Sequence, residues 1–174
     1  MRFHRVFVSF LCSFALAALF LTSAAARAAG NLAARVDGSF TDAAGEGAFE
    51  GTLTLSSFEL RGEQLVAHAT LDGNFTDGAG KRLGELEDRE LTLPVDRASV
   101  AASCEKATLT LRLDDVEGGG VRAHLQPVEV EIGAGAAPDH KLDVPLCDLG
   151  KVVGGSGGLG AVAQGLDRVL AALE

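Results

Sequence analysis

Two cysteines, Cys104 and Cys147, have the clearest capacity for covalent chemistry in this 174-residue chain. Redox-active pairs usually stand as Cys-x-x-Cys beside the start of a helix, whereas these two lie far apart in the sequence. Two thiols that can meet in an oxidising compartment are expected to pair. We therefore predict a structural disulfide between Cys104 and Cys147, with a redox pair as the alternative.

The N-terminal segment predicts such a compartment. Two arginines precede an uncharged run from Val6 to Ala26, and small residues follow it, which is typical of a secretory signal cleaved after Ala26 or Ala28. We expect residues 1–28 to be removed together with Cys12, and the mature protein to be secreted or periplasmic. An uncleaved anchor is the alternative, because the run is just long enough to span a bilayer.

The mature histidines do not form a metal-binding pattern. His68, His124 and His140 are scattered, and none belongs to a His-x-His or His-x-x-x-His pair. Zinc requires converging nitrogen or sulfur ligands, and the two cysteines are assigned to each other. We predict no metal site and no cofactor.

Acidic side chains offer a second possible cation site. Asp72, Asn74 and Asp77 resemble the start of a calcium loop. However, Asp77 stands where an EF-hand loop needs glycine, and Leu83 stands where it needs a bidentate acid. A further acidic cluster consists of Asp114, Asp115 and Glu117. A solvated acidic surface is the simpler interpretation, and weak calcium binding stays the alternative.

The segment Gly154–Gly160 matches two catalytic motifs through its glycine content. The G-x-S-x-G match at Ser156 would need a later histidine, and none follows it in the sequence. The G-x-G-x-x-G match would need a further strand and an acid about twenty residues on, but the sequence ends at Glu174. We interpret the segment as a linker and predict that the protein is not an enzyme.

The charge balance bears on the class of partner. The chain has 15 basic and 24 acidic residues, and removal of residues 1–28 would take three arginines and no acids. Twelve basic residues against twenty-four acidic ones give the mature chain a net charge of −12. Such a surface repels nucleic-acid phosphates and anionic lipid head groups. We expect no nucleic acid and no stable membrane insertion after cleavage, and leave open a protein or apolar-ligand partner.

From Leu32 onward, the alternation of apolar and polar residues predicts antiparallel strands joined by tight turns. The run Gly47–Leu60 changes register at Ser56–Ser57, which predicts a β-bulge. Arg61–Gln64 is the predicted turn, and Leu65–Phe75 returns as the second strand of a hairpin. A ten-residue element, VDGSFTDAAG, recurs 35 residues later as LDGNFTDGAG with seven identities, which indicates reuse of a strand and turn.

A second hairpin is predicted between the cysteines. Its first strand carries an inward row of Leu109, Leu111 and Leu113. Asp114–Gly120 is the predicted polar turn. The return strand begins at Val121 and slips in register at Gln126–Pro127, where we predict a second irregularity like the first.

The pattern becomes helical near the C-terminus. Asp143 is the predicted cap of a short helical turn that carries Cys147, and Gly154–Gly158 is the linker. Apolar residues then recur at helical spacing, namely Leu159, Val162, Ala163, Leu166, Val169, Leu170 and Leu173. The opposite side of this helix carries Gln164, Asp167 and Arg168. Docking on its own sheet and docking on a partner both stay open.

These patterns predict an all-β fold, either an antiparallel sandwich or a small barrel, with a short helical turn and a C-terminal amphipathic helix. The predicted division is a signal peptide over residues 1–28, a β-domain over residues 29–153, and a linker with the final helix over residues 154–174.

The chain also resembles a family of exported bacterial proteins with no established activity. The resemblance covers roughly Phe49–Val153 and rests on a Phe-x-Gly-x-Leu hairpin, an LTLPV run, and a cysteine opening a leucine-rich hairpin, with a second cysteine in a helical turn. It implies export and a paired cysteine, and it supplies no catalytic residue.

The sequence therefore predicts an exported, non-enzymatic β-domain, with a role as an envelope or extracellular interaction module. The alternative is a periplasmic carrier of a lipid or another apolar ligand, suggested by the Leu- and Val-lined hairpins. A hydrolase would require two facing carboxylates in a cleft, which the sequence does not place.

Overall fold

The computed structural model describes residues 32–174, so the predicted signal peptide lies outside the described residues. The strands of the described chain are β1 (Leu32–Asp42), β2 (Gly45–Arg61), β3 (Gln64–Thr76), β4 (Arg82–Val95), β5 (Ala101–Ala102), β6 (Lys106–Leu111), β7 (Val116–Gly118), β8 (Val121–Leu125) and β9 (Val128–Gly133). The α-helices are α1 (Asp143–Gly154) and α2 (Leu159–Ala171), and short 3-10 helices span Arg97–Ser99, Ala134–Ala136 and Pro138–His140.

The strands pair antiparallel in the order β5-β6-β4-β3-β2-β1-β8-β7, and β9 pairs with β6. The four long strands β1 to β4 follow one another as hairpins and make up the centre of the sheet. No ladder among the described strands joins the ends, so the sheet is not closed. The predicted antiparallel β-fold with a C-terminal helix is confirmed, whereas the described strands do not close into the predicted small barrel, and the sandwich stays a prediction.

The first hairpin has the predicted bulge. The register between β2 and β3 shifts between Leu55 and Ser57, and Phe58 then pairs with Ala67. Because the bulge adds one residue to β2, Leu55 before it and Phe58 after it are both buried. Gly62 occupies the predicted turn with a φ of 65°, a left-handed conformation that glycine adopts without steric cost.

The second hairpin does not form as predicted. β6 pairs with β9, from Lys106 opposite Gly133 to Leu111 opposite Val128. β8 instead pairs with β1, where Gly38 lies opposite Leu125. The irregularity at Gln126–Pro127 is therefore a break between two strands with different partners. Proline has no N–H to donate to a ladder, which accounts for the break at this position.

The predicted turn Asp114–Gly120 is also shorter than expected. Val116–Gly118 forms β7, which pairs with β8 through Gly118 opposite Val121, and Val116 is buried. The turn itself is Gly119–Gly120, and both glycines have positive φ. A two-residue glycine turn matches the twist of a tight hairpin, so the polar residues before it are free to form a strand.

The helical region is larger than the predicted short turn. α1 has 12 residues, and its N-cap is Leu142, which has no side chain able to cap the helix by a hydrogen bond. The prediction that Asp143 is the cap is therefore wrong, because Asp143 is already the first residue of the helix. Cys147 lies on α1 as predicted. Within residues 32–174 no helix is both long and apolar enough to cross a bilayer.

α2 docks on its own domain through the predicted apolar residues. Val162, Leu166 and Val169 are fully buried, and they belong to the same apolar cluster as Leu146 and Leu149 of α1. The cluster continues into the inner rows of the strands, so sheet and helices share one core.

Candidate functional site

Cys104 and Cys147 are brought together by the fold. Their sulfur atoms are 1.93 Å apart, which is bonding distance. Cys104 lies between β5 and β6, and Cys147 lies in the first half of α1. The pair therefore fastens α1 to the edge of the sheet, as a structural disulfide would.

The three histidines do not converge. Each one makes an ion-pair contact with one carboxylate of the described residues: His68 Nε2 is 3.0 Å from Glu59, His124 Nδ1 is 2.8 Å from Asp115, and His140 Nδ1 is 3.4 Å from Asp143. Among residues 32–174 no three histidine, cysteine or acidic side chains are grouped so as to hold a metal. Glu59 accepts hydrogen bonds from both His68 and Arg61. These bonds, the one from His68 having the larger effect, hold the pKa of Glu59 below its ordinary value.

The acids that resembled a calcium loop bind backbone instead. Asp77 Oδ1 accepts hydrogen bonds from the N–H groups of Ala79 and Lys81, at 3.0 and 2.8 Å. Asp72 Oδ1 accepts one from Asp88 N–H at 2.7 Å. The recurring ten-residue element has the same role in both copies, because Asp42 likewise accepts from the N–H two residues on, at 2.7 Å. These side chains stabilise turns and a bulge.

The glycine-rich segment joins the two helices. Gly154 ends α1, Gly158 precedes α2, and Ser156 is exposed between them. The motif thus lies outside the strand-turn-helix setting that a nucleophile elbow needs.

An open cleft lies along one side of β4. β4 joins β6 through a single pair, Val95 opposite Leu111. Near the other end of β4, a Cβ on Gly84 would come within 2.8 Å of the backbone of Gly119 in the β7–β8 turn. Between these two contacts β4 and the segment 113–117 separate, and the space between them has a volume of about 870 Å³. We call it the β4 cleft.

The β4 wall of this cleft exposes part of the inner face of the sheet. Leu91 lies opposite Ala69 and Arg89 lies opposite Leu71, so both belong to the inward row of β4. Leu86, Leu91 and Leu113 line the cleft and are half-buried. Arg89 is exposed, and it has no ion-pair partner among residues 32–174. The row therefore combines apolar surface with one unpaired cation.

The opposite wall carries charges that are mostly paired. Arg122 of β8 binds Glu117 of β7, and this carboxylate raises the pKa of Arg122. His124 lies beside Asp115, as described above. Asp114, which also lines the cleft, has no ion-pair partner among the described residues.

The outer face of β4 presents a row of carboxylates beside the cleft. Glu85 lies opposite Asn74 and Glu90 lies opposite Thr70 on the face that points away from the core. Glu87 lines a shallow groove of about 920 Å³ on the same face, together with Glu50 and Asp72. Glu85 is paired with Arg82 at 2.6 Å, whereas Glu87 and Glu90 are exposed and have no such partner among residues 32–174.

A bulge at Glu87–Asp88 shifts the alternation of inner and outer side chains along β4 by one residue. The register between β3 and β4 shifts between Leu71 and Gly73, and Asp88 has a φ of 47°. The hydrogen bond from its N–H to Asp72 holds the bulge in place. As a result, Glu87 and Glu90 lie on the outer face while Leu86 and Arg89 lie on the inner one.

Sequence reasoning did not single out the β4 cleft. Two signals were available in this strand: Arg89, a charged residue that interrupts the inward row leading to Leu91 and Leu93, and Pro94, which has no N–H to donate to a ladder and is typical of an edge or a strand end. Within the described part of the chain this edge has no ladder partner apart from the pair at Val95. That lack depends on where β6 and β9 pair, and local periodicity carries no such information.

Comparison of the chain with known protein families, with curated proteins and with solved structures finds no match. The candidate site therefore rests on its own geometry.

Proposed function

We propose that this chain is an exported, non-enzymatic β-domain that acts as an envelope or extracellular interaction module, and that it binds its partner at the β4 cleft. The observation that carries the proposal is the free edge of β4. One edge of this strand is paired with β3 along most of its length, whereas the other is paired, among residues 32–174, only at Val95. Backbone N–H and C=O groups along such an edge lack hydrogen-bond partners in a ladder, and a strand added by another chain can supply them.

The surroundings of the edge support recognition of a protein. The β4 cleft combines half-buried leucines with charged groups, the mixture of apolar centre and polar rim that is common in interfaces. The bonding distance between Cys104 and Cys147 supports a secreted or periplasmic location, because disulfides persist in oxidising compartments. Membership of the exported bacterial family suggested by the sequence stays part of this proposal.

The alternative function, a carrier of an apolar ligand, is favoured by the same leucines. The inner rows around Phe49, Leu53 and Leu71 are fully buried in the core, so a ligand would have to occupy the β4 cleft itself. Native mass spectrometry of protein purified from its own host separates the two functions. A carrier would retain a bound lipid, whereas the interaction module would be free of one.

A photo-crosslinking experiment tests the proposal in intact host cells. A photoreactive benzoylphenylalanine replaces Thr92, which is exposed and lines the β4 cleft. The matched control carries the same group in place of Glu63, in the exposed β2–β3 turn. We expect a discrete adduct with a protein at position 92 and none at position 63. Equal labelling at both positions, or no protein adduct at position 92, would contradict the proposal.

A further inference from the structure

We infer that the β4 cleft binds an extended peptide segment in which basic and apolar residues alternate, and that the segment adds a strand to the free edge of β4. The inference names the partner class of the interaction module and rests on the function proposed above. It follows from the two faces of β4, which differ sharply in chemistry.

The inner face of β4 selects the inward side chains of the added strand. Successive side chains of a strand alternate between its two faces, so every second residue of the segment would lie over the cleft. There it would meet Leu86, Leu91 and Leu113, which are half-buried and gain contact when covered. Arg89 lies in the same row and repels a basic side chain placed beside it, whereas the three leucines favour apolar side chains.

The outer face of β4 selects the remaining side chains. Glu87 and Glu90 are exposed carboxylates without ion-pair partners among the described residues, and Glu85 continues the row. Outward side chains of an added strand lie directly beside this row, because cross-strand neighbours on one face are about 5 Å apart. Lysine or arginine at these positions is favoured, since opposite charges in cross-strand pairs are stabilising.

The same row excludes a second copy of this chain as the occupant. Pairing of two β4 edges would place carboxylates beside carboxylates, and like charges directly across a sheet are destabilising. Exposed edge strands commonly carry charges that prevent such self-association. Arg82 at the start of β4 is paired with Glu85, so the two carboxylates without partners among the described residues, Glu87 and Glu90, set the charge that an added strand meets. They disfavour another acidic edge and favour a basic one.

The length of the segment follows from the two ends of the cleft. The contact at Gly84 and the pair at Val95 bound the free edge. A typical strand of about five to six residues fits between them. A capped heptapeptide, Ser-Lys-Val-Lys-Val-Lys-Ser, meets these requirements and serves as the probe.

The experiment measures binding of this peptide to the exported protein by calorimetry and maps it by amide NMR. Two control peptides have the same length: one has the order Ser-Val-Val-Lys-Lys-Lys-Ser, and the other carries glutamate for each lysine. We expect saturable binding of the alternating basic peptide, at least tenfold weaker binding of the other two, and shift changes centred on β4 and on residues 113–117. Protection of β4 amides from exchange would indicate strand addition rather than charge attraction alone.

A charge-reversal variant makes the test specific. The double substitution Glu87→Lys with Glu90→Lys alters only exposed side chains, so the fold should be retained. We expect this variant to bind the basic peptide at least tenfold more weakly than the wild type does, and to bind the acidic peptide more tightly. The matched control, Glu46→Lys with Glu63→Lys, makes the same change in net charge at exposed positions that do not line the cleft. It should leave the affinity of the basic peptide within about twofold.

Three outcomes would overturn the inference: no binding, equal loss in both double variants, or shift changes away from β4. They are distinguishable from failure of the proposed function. A protein crosslinked at position 92 together with a peptide that does not bind would retain the interaction module and reject the basic, alternating segment. Loss of the crosslink would reject the module itself.

Discussion

The Asp167 carboxylate of α2 accepts a hydrogen bond of 2.6 Å from the backbone N–H of Phe58 in β2. The ladder between β1 and β2 ends at Leu32 opposite Leu55, so Phe58 lies beyond it. A side chain of α2 thus binds the edge of β2 beyond the point where the described part of β1 pairs with it. Asp167 is half-buried, which corrects its assignment to the solvent side of α2.

Replacement of Asp167 should weaken the docking of α2. Asp167→Ala leaves the N–H of Phe58 without its acceptor, and we expect a loss of about 1 kcal/mol in the free energy of unfolding, because the site is only partly buried. Asp167→Asn keeps an acceptor oxygen and should lose less. Urea unfolding at pH 7 measures both, and the amide of Phe58 should exchange faster in Asp167→Ala. An equal loss in both variants would contradict the role of the oxygen.

Asp167 should also make stability depend on pH. Burial raises the pKa of its carboxyl above the ordinary value, and the hydrogen bond from Phe58 and the charge of His68 oppose this rise. The folded protein then binds the proton more tightly than the unfolded chain, so the contribution to stability is present below the unfolded pKa of about 3.9 and is lost as pH rises through the folded pKa.

The comparison of wild type with Asp167→Asn isolates this effect, because the other carboxyl groups titrate in both proteins. Relative to the variant, the wild type should lose stability as pH rises from about 4. The change should be small, since solvent reaches part of the side chain. Urea unfolding across this range provides the measurement, and a difference that grows in favour of the wild type would contradict the sign.

The cysteine pair should stabilise the fold measurably. Cys104 and Cys147 are separated by 43 positions, and closing a loop of this length is worth about 4 kcal/mol in the chain-entropy model. The variant Cys104→Ala with Cys147→Ala should unfold at correspondingly lower urea concentration. Reductant should bring the wild type close to the variant and leave the variant unchanged. The intact mass of unreduced mature protein should show no thiol that can be alkylated. Detection of two such thiols would contradict the disulfide.

The first hairpins should be sensitive to a methyl group at Gly73. A Cβ there would lie 2.4 Å from the ring of Phe49 and 2.8 Å from the carbonyl oxygen of Glu50. Phe49 also packs against Phe75, with ring centroids 4.9 Å apart, so the ring has little room to move. We expect Gly73→Ala to cost about 1–3 kcal/mol. Gly133→Ala, where a Cβ would meet nothing within 4 Å, is the control, and equal midpoints of thermal unfolding would contradict the prediction.

Much of the local structure could be predicted from the sequence. The bulge at Ser56–Ser57, the turn at Gly62 and the buried face of α2 were all predicted correctly. Each depends on a pattern of period two or 3.6 within one segment, which determines the face on which a side chain lies. The meeting of Cys104 with Cys147 was anticipated from chemistry, and the fold brings the two sulfur atoms to bonding distance.

The partners of the strands were decided only by the tertiary structure. Alternation in residues 121–132 predicted strands but could not show that β8 pairs with β1 while β9 pairs with β6. The β4 cleft and the contact of Asp167 with Phe58 likewise depend on how distant segments of the chain pack together. A strand exposes the same backbone donors and acceptors to any partner. Its neighbour is therefore set by which distant faces can be buried together, and that is a property of the whole chain.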